Sequence, residues 1–363
     1  MPLAGRRAMK LFLHVGTEKT GSSHIQTLCV HGREHLASAG IWFPEGIARH
    51  EKRMRAGLVS AGNAFVVSTQ AREGNHGGLL AELVRHREAA QARSCRAVFL
   101  SSELLLPYCA TVEAWSAVFE NCQRAGFDSV STLVLLRDPV DQLISLYKHR
   151  ARSGTAGRLV DWVRNCYNLP DELARLRGQA HVAGIELIAR GYVRRPGGLE
   201  AVFFGDWLGT RPPALENAKE VNPSLALPEL ELLRVLHQIR PVLVPFLYDQ
   251  LAQIPSADKV QGSALESHAR RVAEAKVWEH REEWRAWNAI LPAGEQLAVP
   301  KDAAAVPPAP EELGFSVRQV DALARFNAET ATLKFWAQAF WAGRVKPVLR
   351  SIRRRFLPFA KGT

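Results

Sequence analysis

Cysteine is scarce in this 363-residue chain: there are five, Cys29, Cys95, Cys109, Cys122 and Cys166, and no pair is spaced Cys-x-x-Cys. An odd, scattered set argues against a disulfide framework and against a zinc site, and it suits a reducing cytoplasm. Long apolar runs are missing as well. No stretch approaches the roughly 20 apolar residues that span a bilayer, and Met1 to Lys10 carries basic residues without the apolar core of a secretion signal. A cytoplasmic protein is expected. Acidic residues are outnumbered, 36 Asp and Glu against 47 Lys and Arg, for a net charge of +11. That balance points to an anionic partner: nucleic acid, membrane surface, polyanionic glycan or phosphorylated cofactor. No zinc-finger, RNA-recognition or basic-zipper signature accompanies it, so nucleic acid is not expected. Core-forming residues are plentiful, at 47% hydrophobic, enough for one large domain or one domain with a smaller partner.

The first apolar run, Leu11 to Val15, reads as a buried strand, and a polar glycine-containing loop follows from Gly16 to Ser23. Ile25, Leu28 and Cys29 then fall on one helix face. Strand, loop and helix in that order place an anion-binding turn at the carboxyl edge of a parallel sheet. Further strands are expected at Ala97–Leu100, Thr132–Leu136 and Ile185–Ile188. Helices are expected over Val112–Arg124 and after Pro139. The alternation of near-continuous apolar strands with helices predicts an α/β fold with a central parallel sheet.

Beyond about Asn222 helical patterns dominate, so residues 1–225 read as the α/β core and 226–363 as a mainly helical C-terminal extension. Trp278, Trp284 and Trp287 could pack a helix onto the core or line an acceptor groove. Ala303 to Pro310 is a proline-rich linker. The tail from Arg344 to Lys361 carries seven Lys or Arg among apolar residues, a composition for a solvated tail or for peripheral contact with an acidic membrane.

Residues 16–23 read Gly-Thr-Glu-Lys-Thr-Gly-Ser-Ser. The glycine spacing imitates a nucleotide P-loop, but the Lys that should follow the second glycine is displaced to Lys19. A ligand ending in a phosphosulfate suits the loop. Backbone N–H groups at a helix start would hold it, with Gly21 allowing close approach. Lys19 would supply a point charge where negative charge develops, and Ser22 and Ser23 would offer hydroxyls. In the second segment, Leu135 to Tyr147, Arg137 ends a strand and can fork onto a phosphate. Ser145 lies eight residues later, about two helical turns on. A ribose 3′-phosphate would sit between them.

Together the two segments resemble the sulfotransferase family. Lys19-Thr20-Gly21-Ser22-Ser23 is similar to its 5′-phosphosulfate loop, and Arg137-Asp-Pro to Ser145 is similar to its 3′-phosphate motif, in the family's order. The likeness extends to His14–Gln26, Gly40–Gly46, Phe99–Leu105 and Val221-Asn222-Pro223-Ser224. It spans about residues 10 to 225 and is nearest to bacterial and Golgi-type carbohydrate sulfotransferases. The resemblance implies a P-loop-like, three-layer form of the α/β fold. It also implies 3′-phosphoadenosine-5′-phosphosulfate (PAPS) as donor, with PAP as product, no metal, and in-line sulfuryl transfer to a hydroxyl or amine of a carbohydrate or glycolipid-like acceptor. It makes Glu103, at the end of the second strand, the general base. The alternative is Glu103 as an acidic residue in the first turn of a helix. His50 and His76 are alternative bases, and His14 reads as a packed strand residue. Glu18 departs from the family pattern by placing a carboxylate beside the loop. A P-loop kinase or NTPase, and a non-catalytic binder of anionic glycan or nucleic acid, are the competing readings.

Overall fold

A computed structural model describes residues 8–192, 198–214, 225–259, 263–310 and 314–330. The basic tail and Val221 to Ser224 lie outside them. Five parallel strands form one sheet: β1 (Lys10–Val15), β2 (Ile41–Trp42), β3 (Ala97–Ser102), β4 (Ser129–Leu136) and β5 (Glu186–Gly191), in the order β2-β3-β1-β4-β5. The α/β class with a central parallel sheet is therefore as the alternation predicts.

Three boundaries differ from the apolar runs. β3 continues through Ser101 and Ser102, and β4 begins at Ser129, because the intervening polar side chains find partners inside. Ser101 bonds His14 Nδ1 at 2.9 Å, Ser68 donates to Ser102 at 3.1 Å, and Ser131 accepts from Trp207 Nε1 at 3.0 Å. Hydrogen-bonded hydroxyls can lie in a core that would reject them unpaired. β5 runs on to Gly191 rather than ending at Ile188. The two-residue strand β2 was not evident from periodicity.

The connections sort the helices onto two faces. Helix α1 (Ser22–His31) leads from β1 toward β2, in the opposite direction to every later crossover. Right-handed crossovers running in opposite directions must lie on opposite sides of the sheet. On the α1 side, Phe12, Phe99, Leu133 and Leu135 pack with Ile25, Leu28 and the π-helical turn Ala201–Leu208, which contributes Phe203, Phe204 and Trp207. Phe203 and Trp207 meet edge-on at 5.1 Å, a favourable aromatic arrangement. The later crossovers are carried by α2 (His76–Ala92), α3 (Val112–Arg124) and, beyond α4 (Pro139–Ala151), α5 (Leu169–Val182). α2 and α3 begin at side-chain caps: Asn75 accepts from Gly78 N–H at 3.0 Å, and Thr111 from Ala114 N–H at 3.2 Å.

The chain forms two compact units, and neither is contiguous. The first comprises residues 1–142, 168–221 and 277–303 and holds the whole sheet; the second comprises 143–167, 222–276 and 304–363. A single cut at 225/226 therefore does not describe the division. Residues 277–303 return to the sheet unit because their indoles are core: Trp284 and Trp287 are fully buried, as packing residues. Trp278 is half-buried, with the Arg281 guanidinium 4.2 Å over its ring. Residues 303–310 have no regular structure and are mostly exposed.

In the second unit a buried carboxylate organises three segments. Glu229 accepts from Ala226 N–H at 2.6 Å, Lys259 Nζ at 3.0 Å and Gln319 Nε2 at 2.8 Å, while Lys259 also donates to the Leu251 carbonyl. Removing one partner leaves the other charge buried and uncompensated. Glu229→Ala is expected to cost about 3–5 kcal/mol in chemical unfolding, and Lys259→Ala a similar amount. The double variant should cost less than the sum of the two.

Candidate functional site

β1 is where the chain changes direction across the sheet. Its outgoing connection runs one way and that of its neighbour β4 the other, which leaves a crevice beyond their carboxyl ends. Ligands of open α/β sheets bind at such switch points. Residues 16–21 leave β1 there and Arg137 leaves β4 there, so the fold brings the two sequence segments to one edge.

Side-chain to main-chain bonds join them. The Thr17 hydroxyl donates to the Leu135 carbonyl at 2.7 Å, and Gln142 Nε2 donates to the Glu18 carbonyl at 3.0 Å. Thr20 closes the turn by donating to the Thr17 carbonyl at 2.6 Å. Within this turn Lys19 has φ 71°, the left-handed region. A non-glycine residue there costs energy, and such strain concentrates at ligand sites. Gly21, at φ 84°, repeats the conformation immediately before α1, with Leu199 and Tyr192 packed against it. The first helical N–H groups to meet a backbone acceptor are those of His24 and Ile25, which bond the Gly21 carbonyl. Among the described residues the N–H groups of Thr20, Gly21, Ser22 and Ser23 have no hydrogen-bonded acceptor. Left-handed turns with successive exposed N–H groups at a helix start form anion-binding concavities. Ser22 Oγ is buried without a partner among the described residues, whereas Ser23 Oγ stands on the half-buried side of the helix start.

Glu103 follows the last residue of β3 and lies against this loop. A Cβ placed on Gly16 would stand 2.7 Å from Ser22 Oγ, 3.0 Å from Glu103 Cγ and 3.4 Å from His14 Cε1. Gly16, whose N–H donates to the Ser102 carbonyl at 3.1 Å, is thus the space across which hydroxyl, carboxylate and imidazole converge. Asp138 Oδ1 accepts from Asp141 N–H at 3.2 Å and so caps α4, leaving Arg137 half-buried at the strand end. Ser145 is six residues into α4, half-buried, and belongs to the second unit.

The histidines divide. His50 Nδ1 accepts from Ala61 N–H at 3.2 Å and its ring lies on Phe65 at 4.7 Å; burial, then Arg49 and Arg53, lower its pKa. His76 is exposed at the first position of α2. His14 is completely buried, bonded to Ser101 and edge-on to Phe203 at 5.0 Å, a packed strand residue as expected.

Sequence reasoning did not single out Thr17 and Gln142, although both lie inside the two motifs. It also missed a cavity of about 270 Å³ beside the loop, lined by Leu135, Tyr192, Leu199, Val202, Gly294 and Glu295 among others. Those residues carry no motif. Compared with protein-family models, with curated proteins and with solved structures, the chain matches none. No helix among the described residues is long and apolar enough to cross a membrane.

Burial pushes the His14 imidazole down to about 3 from 6.5. The unfolded chain therefore binds a proton that the folded chain refuses between those values, and stability falls as pH drops through that window. The loss approaches about 1.4 kcal/mol per pH unit. Denaturant unfolding from pH 7 to 4 should show a shallower decline in His14→Gln than in the wild type.

Proposed function

We propose that the protein binds PAPS and transfers its sulfuryl group to a hydroxyl or amine of a carbohydrate or glycolipid-like acceptor. The observation that carries this reading is the joining of two motif segments, about 120 residues apart in sequence, at one switch point through Thr17–Leu135 and Gln142–Glu18. The resemblance of those segments to the sulfotransferase loops supplies the identity of the donor.

The residues present fit an anionic group. The N–H groups of Thr20, Gly21, Ser22 and Ser23 and the orphaned Ser22 hydroxyl are unspent donors at a helix start, and Lys19 adds the positive charge. The donor supplies an activated sulfuryl group whose departure leaves a phosphate. Lys19 and the helix N-terminus would stabilise the charge that accumulates there, and Arg137 would hold the 3′-phosphate. The cavity against Tyr192 and Leu199 would take the adenine ring. Glu103, brought against the loop on its β3 side, would take the proton of the acceptor. A general base so placed contributes a factor of about 10² to 10⁴. The acceptor's chemistry is drawn from the resemblance and from the net charge.

Calorimetric titration with PAP, in the absence of metal, tests the donor site. Wild-type binding is expected, weakened roughly tenfold to hundredfold in Lys19→Ala and Arg137→Ala, each of which loses charged hydrogen bonds worth about 1.5–3 kcal/mol. No binding by folded wild-type protein overturns the reading. Binding only with magnesium and ATP would favour the kinase instead. With labelled donor and a panel of sugar acceptors, Glu103→Gln should keep PAP affinity while its turnover falls by about 10² or more.

A further inference from the structure

The cavity beside the donor loop has one wall that comes from far along the chain. Ala293, Gly294 and Glu295 line it together with Tyr192 and Leu199. Their turn, in which Glu295 N–H returns to the Pro292 carbonyl at 3.0 Å, is tied down at both ends. Asn288 exchanges two bonds with Leu297, at 3.0 and 2.7 Å. At the other end, Arg190 of β5 grips Glu295 with Nε at 3.0 and 2.9 Å and Nη2 at 2.6 Å, and Gly191 N–H donates to the same carboxylate at 2.8 Å. The approach is close enough that a Cβ on Gly191 would meet the Glu295 carbonyl at 2.6 Å. All of these residues belong to the sheet unit.

The carboxylate is fully occupied. Oε1 takes two guanidinium bonds, and Oε2 takes one more together with the Gly191 N–H. Arg190 holds the Glu295 pKa down, against the upward push of its partial burial. Glu295 therefore has little charge left to offer a ligand, even though it lines the cavity. Its chemistry is spent on holding the turn in place. Arg190 has one further bond, from Nη1 to Asp206 at 2.6 Å, but Asp206 is largely exposed and takes no part in the wall.

We propose that Arg190 and Glu295 are positioning residues: their clamp holds the 292–295 turn in place as one wall of the cavity and so sets affinity for the ring portion of the nucleotide. This rests on reading the loop after β1 as the donor site. The clamp acts on the base and leaves the phosphate loop alone. Probes with and without a base therefore separate the two roles.

The test is calorimetric titration of full-length wild type, Arg190→Gln, Glu295→Gln, the double variant and Asp206→Asn with PAP and with inorganic pyrophosphate, which has no base. PAP affinity is expected to fall by about tenfold in each single clamp variant, with no further loss in the double variant because both remove one interaction. Pyrophosphate affinity should stay within about twofold throughout, and Asp206→Asn should behave as wild type. Unchanged PAP affinity in the clamp variants overturns the inference, as does an equal loss for both probes, which would mean general distortion. Wild-type protein that binds neither probe overturns the donor reading itself.

Discussion

The bond from the Thr17 hydroxyl to the Leu135 carbonyl lies at the point on which the site depends. Both residues are buried, and with this bond broken the Thr17 hydroxyl is left only a long contact to Thr20 Oγ1 at 3.4 Å among the described residues. It exists because β1 and β4 are neighbours whose connections depart in opposite directions. Had the crossovers all run one way, the loop after β1 would have been covered by the next helix. Reversal at the central strand leaves it open, with Arg137 at its flank and Glu103 arriving from β3 on the other side.

Beneath that loop the sheet carries more polar atoms than a buried strand end ordinarily tolerates. His14, Ser101 and Gln26 are linked by bonds of 2.9 and 3.2 Å, yet His14 Nε2, Gln26 Oε1 and Ser22 Oγ find no partner among the described residues. Unmet donors and acceptors of this kind cost stability unless water or ligand supplies the missing bonds. They occur here together with the left-handed Lys19, another local cost. Departures from local rules therefore cluster at one sheet edge, and such strain is commonest at functional sites.

The C-terminal part works in two ways. Residues 277–303 serve the sheet unit: Trp284 and Trp287 fill its core, Arg177 bonds Glu283 at 2.8 Å, and the following turn walls the cavity. The helices of 227–252 and 264–276 belong to the other unit, organised by the buried Glu229 and Lys259. A charged pair at such depth is stabilising only when its remaining hydrogen-bonding capacity is met, and Ala226, Gln319 and Leu251 contribute toward that. Segments distant in sequence are therefore interdependent within each unit.

Local chemistry by itself determined the α/β class, the central strands and the loop at residues 16–23, because apolar runs, a glycine-bearing polar turn and helical spacing are short-range signals. It also read His14 as a packed strand residue, because it sits inside the first apolar run. The tertiary structure decided whatever depends on partners far away. Ser101, Ser102 and Ser131 read as strand ends until their bonds to His14, Ser68 and Trp207 are seen. Trp284 and Trp287 read more readily as packing residues than as a groove lining, and their full burial puts them in the core. Glu103 became a neighbour of Gly16 only through strand order, which no periodicity encodes. The Arg190–Glu295 clamp, 105 residues apart, had no sequence signal at all, because an ion pair between two ordinary charged residues is defined by geometry and by nothing either residue carries alone.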